Sequence, residues 1–166
     1  RILIDGETLK LGKQNWQVLI TPGHHPGHIC LLGDAGLIAG DMVAGIGTIL
    51  IPPHTGDMNI YMEQLERLKN LNPHLLFPSH GPVIALPDHK FNHYLSHRKA
   101  RHDAVFAAVK SGLQTLPEIT KVAYSNTPNA HPILSEDQTL SHLMSHQRAG
   151  LLVEQSSKWY VNNAKP

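Results

Sequence analysis

An α/β fold is predicted by three features of the 166-residue sequence. Short apolar runs in its first half stop at Gly, Pro or Asp, as strands do at turns. One segment between two of those runs, residues 58–71, has helical periodicity. Beyond residue 88 the pattern is helical and closes on two short apolar runs joined by a turn.

Residues 1–11 alternate and break at Asp5-Gly6, a turn pair, so a short hairpin is expected there. Residues 16–20 (WQVLI) are strand-like and end at Thr21-Pro22-Gly23. Residues 29–32 are the next apolar run. Asp34-Ala35-Gly36 turns the chain into a strand at 37–39, which stops at Gly40-Asp41. Residues 42–56 are rich in Gly and Pro and predict a long loop. Asp57 is suited to cap a helix over 58–71, where Met58, Tyr61, Met62, Leu65, Leu68 and Leu71 recur at helical spacing. Asn72-Pro73 ends it. Residues 74–77 make a short strand, and Pro78-Ser79-His80-Gly81 a tight loop.

A long helix is expected from Asp88 towards Gly112, with Phe91, Leu95, Val105, Phe106 and Val109 as apolar positions. Thr115-Leu116-Pro117-Glu118 has the form of a capping box and opens a helix over 117–125. Ser135 and Gln138 repeat that pattern before Leu140, Leu143 and Met144, and Gly150 closes the third helix. Residues 151–154 and 159–161 flank a turn and predict a terminal hairpin. Three helices and a hairpin in this order are the order of a winged helix. Two domains are therefore expected, 1–95 and 96–166.

Composition narrows the function classes. Formal net charge is +1, which is low for a dedicated nucleic-acid binder. Histidine is the outlier at 13 residues, and it is the commonest metal ligand and general acid/base. The single cysteine, Cys30, cannot form an internal disulfide and sits in an apolar run, which suits a small buried hydrophobe. No apolar stretch reaches the roughly 18 residues of a membrane span, so no membrane partner and a cytoplasmic location are expected. The sequence starts at Arg1 rather than Met.

Three polar loops carry the chemistry. Thr21-Pro22-Gly23-His24, Gly40-Asp41 and Pro78-Ser79-His80-Gly81 each follow a strand. Strands lying side by side and pointing the same way would deliver His24, Asp41 and His80 to one sheet edge. Two imidazoles and a carboxylate suit zinc or a similar ion. Each residue alone would be an ordinary turn or cap residue; the joint pattern carries the specificity. His93 and His97 are four apart on one helix, a chelating spacing with no supporting carboxylate.

TPGHHPGH (21–28), AGD (39–41) and FPSHGP (77–82) resemble, in order and spacing, the third, fourth and fifth motifs of the metallo-β-lactamase superfamily. IPPHTGDMNIYMEQLERL (51–68) and YLSHRKAR (94–101) resemble a subgroup with a C-terminal winged helix, the β-lactamase-like protein 2 type. The resemblance spans nearly the whole sequence. It implies the C-terminal half of an αββα sandwich followed by a winged-helix domain. It also implies a metal-dependent hydrolase, of hydroxyacylglutathione-hydrolase-like character, in which a hydroxide activated by two metals attacks an ester, thioester or amide-type bond. His24 would bind the first zinc, Asp41 would bridge both and act catalytically, and His80 would bind the second. Ser79 stands where many members have Gly. His25 replaces a frequent Thr, and His28 occupies a position where a polar group often supports the ligands. The His97-Arg98 pair matches the subgroup and is expected to join the domains or contact an anionic substrate.

The family's first motif, His-x-His-x-Asp-His, occurs nowhere in the sequence. That motif supplies four further ligands and belongs to the N-terminal half of the fold. The expectation is therefore a truncated or proteolysed piece, or one part of an enzyme, with partial or absent zinc where an intact enzyme holds two, and inactive alone. Its partners would be a small-molecule substrate and the missing half of the fold, with self-association through an exposed apolar sheet face. Two rivals stand beside the acyl hydrolase: a metal-dependent nuclease acting on single-stranded RNA or DNA, and a non-catalytic piece. Glu136 and Asp137 near the start of the third helix, with Arg148 as its fixed cation, disfavour nucleic acid there. Lys90, Arg98, Lys99, Arg101 and Lys110 on the preceding helix would offer a weak basic surface.

Overall fold

The computed structural model describes residues 1–163. A five-stranded sheet comes first, formed by β1 (Thr8–Leu11), β2 (Gln14–Ile20), β3 (Ile29–Gly33), β4 (Gly36–Gly40) and β5 (Leu76–Pro78) in spatial order β1-β2-β3-β4-β5. Pairings are antiparallel up to β4, and β4 pairs β5 in parallel through the crossover helix α1 (Met58–Asn70). Helices α2 (Pro87–Lys110), α3 (Leu116–Ala123) and α4 (Pro132–Arg148) follow, then the hairpin β6 (Leu152–Gln155) and β7 (Lys158–Val161). This mixed α/β order of elements agrees with the sequence reading.

Three expectations are corrected. Residues 1–4 form no strand; the hairpin is β1–β2, turning at Gly12-Lys13, with Leu11 opposite Gln14. The Asp5-Gly6 turn exists, but Asp5 serves other ends: its carboxylate accepts the Ile20 N–H at 2.7 Å and both bonds of Arg67 Nη2 at 2.9 and 2.7 Å. Helix α4 begins at Pro132, not at Ser135. Proline's missing N–H costs nothing in a first turn, so Ser135 lies inside the helix and its hydroxyl donates to the Pro132 carbonyl. Finally, β2 and β4 point the same way but are not neighbours, because β3 runs antiparallel between them.

Alternation sorts the sheet into two faces. Leu19, Cys30, Leu37, Ala39 and Leu76 pack under α1 and α2 with Tyr61, Leu65, Leu68, Phe91 and Tyr94. Burying such side chains supplies roughly 1.5–3 kcal/mol each. The other face carries the cross-strand row Val18, Leu31, Ile38 and Phe77. Trp16, Ile38 and Phe77 there border a shallow hollow of about 410 Å³, and Ile38 remains 38% exposed. A second apolar cluster joins Val105 and Val109 of α2 to Ile119, Leu143, Leu152 and Trp159. Helix α2 runs through both clusters, and its middle turns bury Arg98 and Arg101 between them.

Residues 42–57 hold no helix or strand, yet Met42, Val43, Ile49 and Ile51 are buried. A buried loop needs partners for its peptide groups. Tyr61 Oη donates to Met42 O at 2.7 Å. Tyr94 Oη accepts the Ala44 N–H at 2.9 Å and donates to Gly47 O at 3.0 Å. Arg98 donates to Ile49 O, and Gln138 brackets Ile51 through its N–H and its carbonyl. Asp57 closes the loop: it caps α1 through Asn59 and Ile60 and accepts Arg148 Nη1 at 2.7 Å.

Helices α2 and α4 also meet through three histidines. His102 and His142 share a hydrogen bond between Nδ1 atoms at 3.1 Å, and His146 Nε2 donates to the His102 carbonyl at 3.0 Å while its ring stacks on His102. Burial holds all three below the ordinary histidine pKa, His102 down to about 4. A histidine whose folded pKa lies below its unfolded value of about 6.5 adds stability that is fully present above that value and lost as pH falls through the window down to the folded pKa. The midpoint of urea unfolding is expected to drop as pH is lowered from about 7 to 5. His102→Gln and His142→Gln should each flatten part of that slope, leaving the share of His28 and His97, which burial lowers in the same direction. A midpoint that does not move over this range contradicts the assignment.

Candidate metal centre

The ends of β2, β4 and β5 lie at one edge of the sheet, and the structure brings His24, Asp41 and His80 together there. His24 Nε2 lies 3.8 Å from Asp41 Oδ2, and His80 Nε2 lies 3.3 Å from Asp41 Oδ1. His24 and Asp41 are about a quarter exposed, whereas the His80 side chain is 71% exposed and stands at the mouth.

His24 is fixed by the loop. Its Nδ1 lies 2.8 Å from the Leu50 carbonyl, which only accepts, so Nδ1 carries the proton. In neutral His24, Nε2 then presents a lone pair towards the Asp41 carboxylate, and two acceptors face each other. Gly23 makes this turn possible: at φ +132 a Cβ there would meet Tyr61 backbone at 2.4 Å. Its carbonyl accepts the Asp57 N–H at 2.7 Å, tying the turn to the first turn of α1.

Asp41 is fixed through His28. The Asp41 N–H donates to His28 Nε2 at 3.0 Å, so the proton of neutral His28 sits on Nδ1 and faces Thr21 Oγ1 at 2.8 Å. The Thr21 hydroxyl then turns to Cys30 Sγ at 3.3 Å, and the Cys30 thiol to the Ala39 carbonyl at 3.4 Å. Each donor in the chain has one acceptor, which defines the His28 tautomer. Burial, then nearby His24, pull the His28 pKa down against the opposing effect of Asp41. Burial pushes the Cys30 thiol up to about 12, so it is no nucleophile at neutral pH.

The fit to a cation can be judged from these atoms. Asp41 Oδ1 is buried and has no hydrogen-bond partner among the described residues. The nearby His80 ring is close without being aligned for a bond. A carboxylate flanked by two imidazole nitrogens, with one buried oxygen left without a hydrogen bond, fits a cation in kind. It does not fit in number: among the described residues no group of three or more His, Cys, Asp or Glu side chains is arranged to hold an ion unaided.

His97 and Arg98, singled out in sequence, lie apart from this centre. Arg98 bonds the loop and Gln138 on α4, and His97 Nδ1 is buried without a partner among the described residues. His93 and His97 stack with ring centroids 6.3 Å apart. The expected basic surface of α2 is also corrected: Arg98 and Arg101 are buried, and Lys99 pairs with Asp103 at 2.7 Å. The roles of Thr21, Leu50 and Gln138 escaped the sequence reading. Thr21 lies within the quoted motif, but a backbone carbonyl and a glutamine far along the chain leave no local signal.

Residues 2–80 match the family profile of the Metallo-beta-lactamase superfamily. The Caenorhabditis elegans Beta-lactamase-like protein 2 homolog is 32% identical over 130 residues, covering 76% of this chain and 40% of that protein. The Lactamase-like protein aptB of Emericella nidulans is 30% identical over 184 residues, covering 99% of this chain and 57% of that protein. The chain thus spans about half the length of these curated relatives. Among solved structures, a Beta-lactamase domain protein from Burkholderia ambifaria superposes with TM-score 0.83 at 25% identity, over 97% of this chain and 52% of that one. A metallo-beta-lactamase family protein from Thermus thermophilus does so with TM-score 0.79 at 23% identity, over 96% and 53%.

Gly40, at φ +54, is where the site is most sensitive to backbone change, because a Cβ there would lie 2.6 Å from His28 Nε2. Gly40→Ala is expected to cost about 1–3 kcal/mol in chemical denaturation, combining left-handed strain with displacement of His28. A loss below about 0.5 kcal/mol would show that His28 is not held as described.

Proposed function

We propose, from the match of residues 2–80 to the Metallo-beta-lactamase superfamily profile, that the chain carries part of the active centre of a metal-dependent hydrolase acting on small esters or thioesters. The observation that carries the proposal is Asp41, whose carboxylate turns Oδ2 towards His24 and Oδ1, buried and without a hydrogen bond among the described residues, towards His80. In this reading His24, Asp41 and His80 would be ligands to zinc, and His28 positions Asp41 through its backbone. Bound zinc would supply Lewis acidity, polarising a carbonyl and lowering the pKa of water to near neutrality.

The chain's own residues do the rest. The Leu50 carbonyl keeps the His24 proton on Nδ1, so Nε2 of the neutral ring is available to a metal. His28 holds the Asp41 backbone without contributing charge. His80, on the outer side, leaves the mouth open to a substrate from solvent.

Zinc wants three or four protein ligands, and the centre is two imidazoles and one carboxylate. We propose that the remaining ligands come from a second sheet-bearing segment, packed on the face of Trp16, Ile38 and Phe77, as in an αββα sandwich. Residues 1–95 would then be the C-terminal half of that sandwich and residues 96–166 a winged-helix-like domain. Without that segment the chain would be inactive, and the same apolar face would favour self-association.

A nuclease remains the second reading. The charge distribution favours the acyl hydrolase. Arg148 on α4 is engaged by Asp57, Lys99 by Asp103, and Arg98 and Arg101 are turned inward, so neither helix presents a free basic stripe.

Zinc competition titration of this chain is expected to show weak binding of at most one ion, abolished by Asp41→Ala. Two tightly held ions per chain would overturn the ligand count. Expressed with the coding sequence upstream of Arg1, where His-x-His-x-Asp-His is expected, the protein should hydrolyse an acyl-glutathione thioester in preference to single-stranded RNA. Asp41→Asn should lower that rate by about 100-fold or more. A preference for RNA decides for the nuclease.

A further inference from the structure

The middle of α2 buries two arginines that have no acid beside them among the described residues. Arg98 is 3% exposed and Arg101 7%. Among the described residues no carboxylate lies within ion-pair distance of either; the acidic partners belong to Arg1, Arg67, Lys99, Arg148 and the two histidines of the candidate centre. Their terminal nitrogens are held by neutral acceptors: Arg98 by Ile49 O and Gln138 Oε1, Arg101 by Ala123 O and Thr127 Oγ1. Those bonds place the side chains but leave the charge uncompensated, and burying an unpaired charge is costly.

Three further donors or potential donors point the same way. The Nε atoms of both arginines are buried without a hydrogen-bond partner among the described residues, and so is Nδ1 of His97. Arg98, Arg101 and His97 line one cavity of about 190 Å³, together with Thr127, His131 and Ser135. The cavity abuts the start of α4, a helix of 17 residues whose N-cap His131 makes no side-chain capping bond. Pro132 has no N–H and the Ser135 N–H is taken by the His131 carbonyl, so the Ile133 and Leu134 amides and the positive end of the helix dipole are what this end offers to a negative charge. Tyr124 stacks on the Arg101 guanidinium at 3.7 Å and keeps its plane fixed. Burial, then the charges of Arg98 and Arg101, hold His97 below the ordinary histidine pKa, as befits a site rich in positive charge and short of negative.

We propose that this cavity is a binding site for a single oxyanion, the phosphate or carboxylate group of a small molecule. Guanidinium forks match both groups in geometry, and the volume suits one head group rather than a polymer backbone. The site is separated from the candidate metal centre by one stretch of loop. Thr48 lines the cavity and Ile49 O takes the Arg98 bond, while the next carbonyl, Leu50 O, orients His24. The inference stands whether or not a metal binds at that centre.

The test is titration calorimetry of the chain, freed of metal on a chelating resin, with inorganic phosphate and with acetate at constant ionic strength, chloride serving as the blank. Saturable binding at one anion per chain is expected, with a matching rise in Tm, and Arg101→Gln should weaken it by about tenfold or more. Because removing a buried arginine can prevent folding, Leu134→Glu provides a second arm. Leu134 lines the cavity from the first turn of α4 and is 49% exposed, so a carboxylate there would reach the arginines from within. That variant should melt higher than the parent in anion-free buffer and lose the response to phosphate. Absence of saturable phosphate or acetate binding to the parent overturns the proposal. So does anion binding that Leu134→Glu leaves intact, or binding of a single-stranded oligonucleotide where the small anions fail.

Discussion

Satisfaction of the peptide groups of residues 42–57 is the constraint on which the remaining structure depends. A segment this long without helix or strand normally stays on the surface, where water serves its backbone. Here Met42, Ile49 and Ile51 are in the core, so side chains must replace water. Tyr61, Tyr94, Arg98 and Gln138 do so, and they come from α1, α2 and α4. The loop therefore acts as the joint between the sheet and the helical part. It explains why fully buried tyrosines and a buried arginine recur along helix faces that an apolar core alone would fill with leucine.

The same joint sets the electronic state of the candidate centre. Leu50 belongs to the loop, and its carbonyl decides which nitrogen of His24 is free. Asp41 leads into the loop and is held by His28, whose tautomer follows from the run of hydrogen bonds through Thr21 and Cys30 to Ala39. The side chains of the candidate centre are thus positioned by backbone groups and neutral side chains. Such an arrangement leaves the His24 Nε2 lone pair uncommitted, at the cost of an Asp41 oxygen without a hydrogen bond among the described residues.

Much of the fold was legible because its signals are local. Asp57 ahead of a periodic apolar stretch predicted α1, and the Asp57 side chain does cap it. The Thr115–Glu118 pairing was visible as a capping box, and Glu118 does accept from both the Thr115 N–H and hydroxyl. Errors arose where two local signals competed. Asp5-Gly6 is as good a turn pair as Gly12-Lys13, and only pairing with β2 selects the latter. Ser135 is a good cap by type, but Pro132 starts α4 a turn earlier. The arginines of α2 looked like a solvated face because sequence spacing does not reveal that α3, α4 and the loop enclose that side.

The sequence by itself determined the strand-end placement of His24, Asp41 and His80 and the identity of the helices, since turn chemistry and period act over a few residues. Only the tertiary structure decided that the three side chains meet across an intervening antiparallel strand, that Leu50 and His28 fix their orientation, and that Arg98 and Arg101 are enclosed with no acid beside them among the described residues. Those outcomes depend on contacts between residues far apart in the chain, such as Gln138 with Ile51, 87 positions away. Distance along the chain carries no information about which buried donor will find which acceptor until the layers have packed.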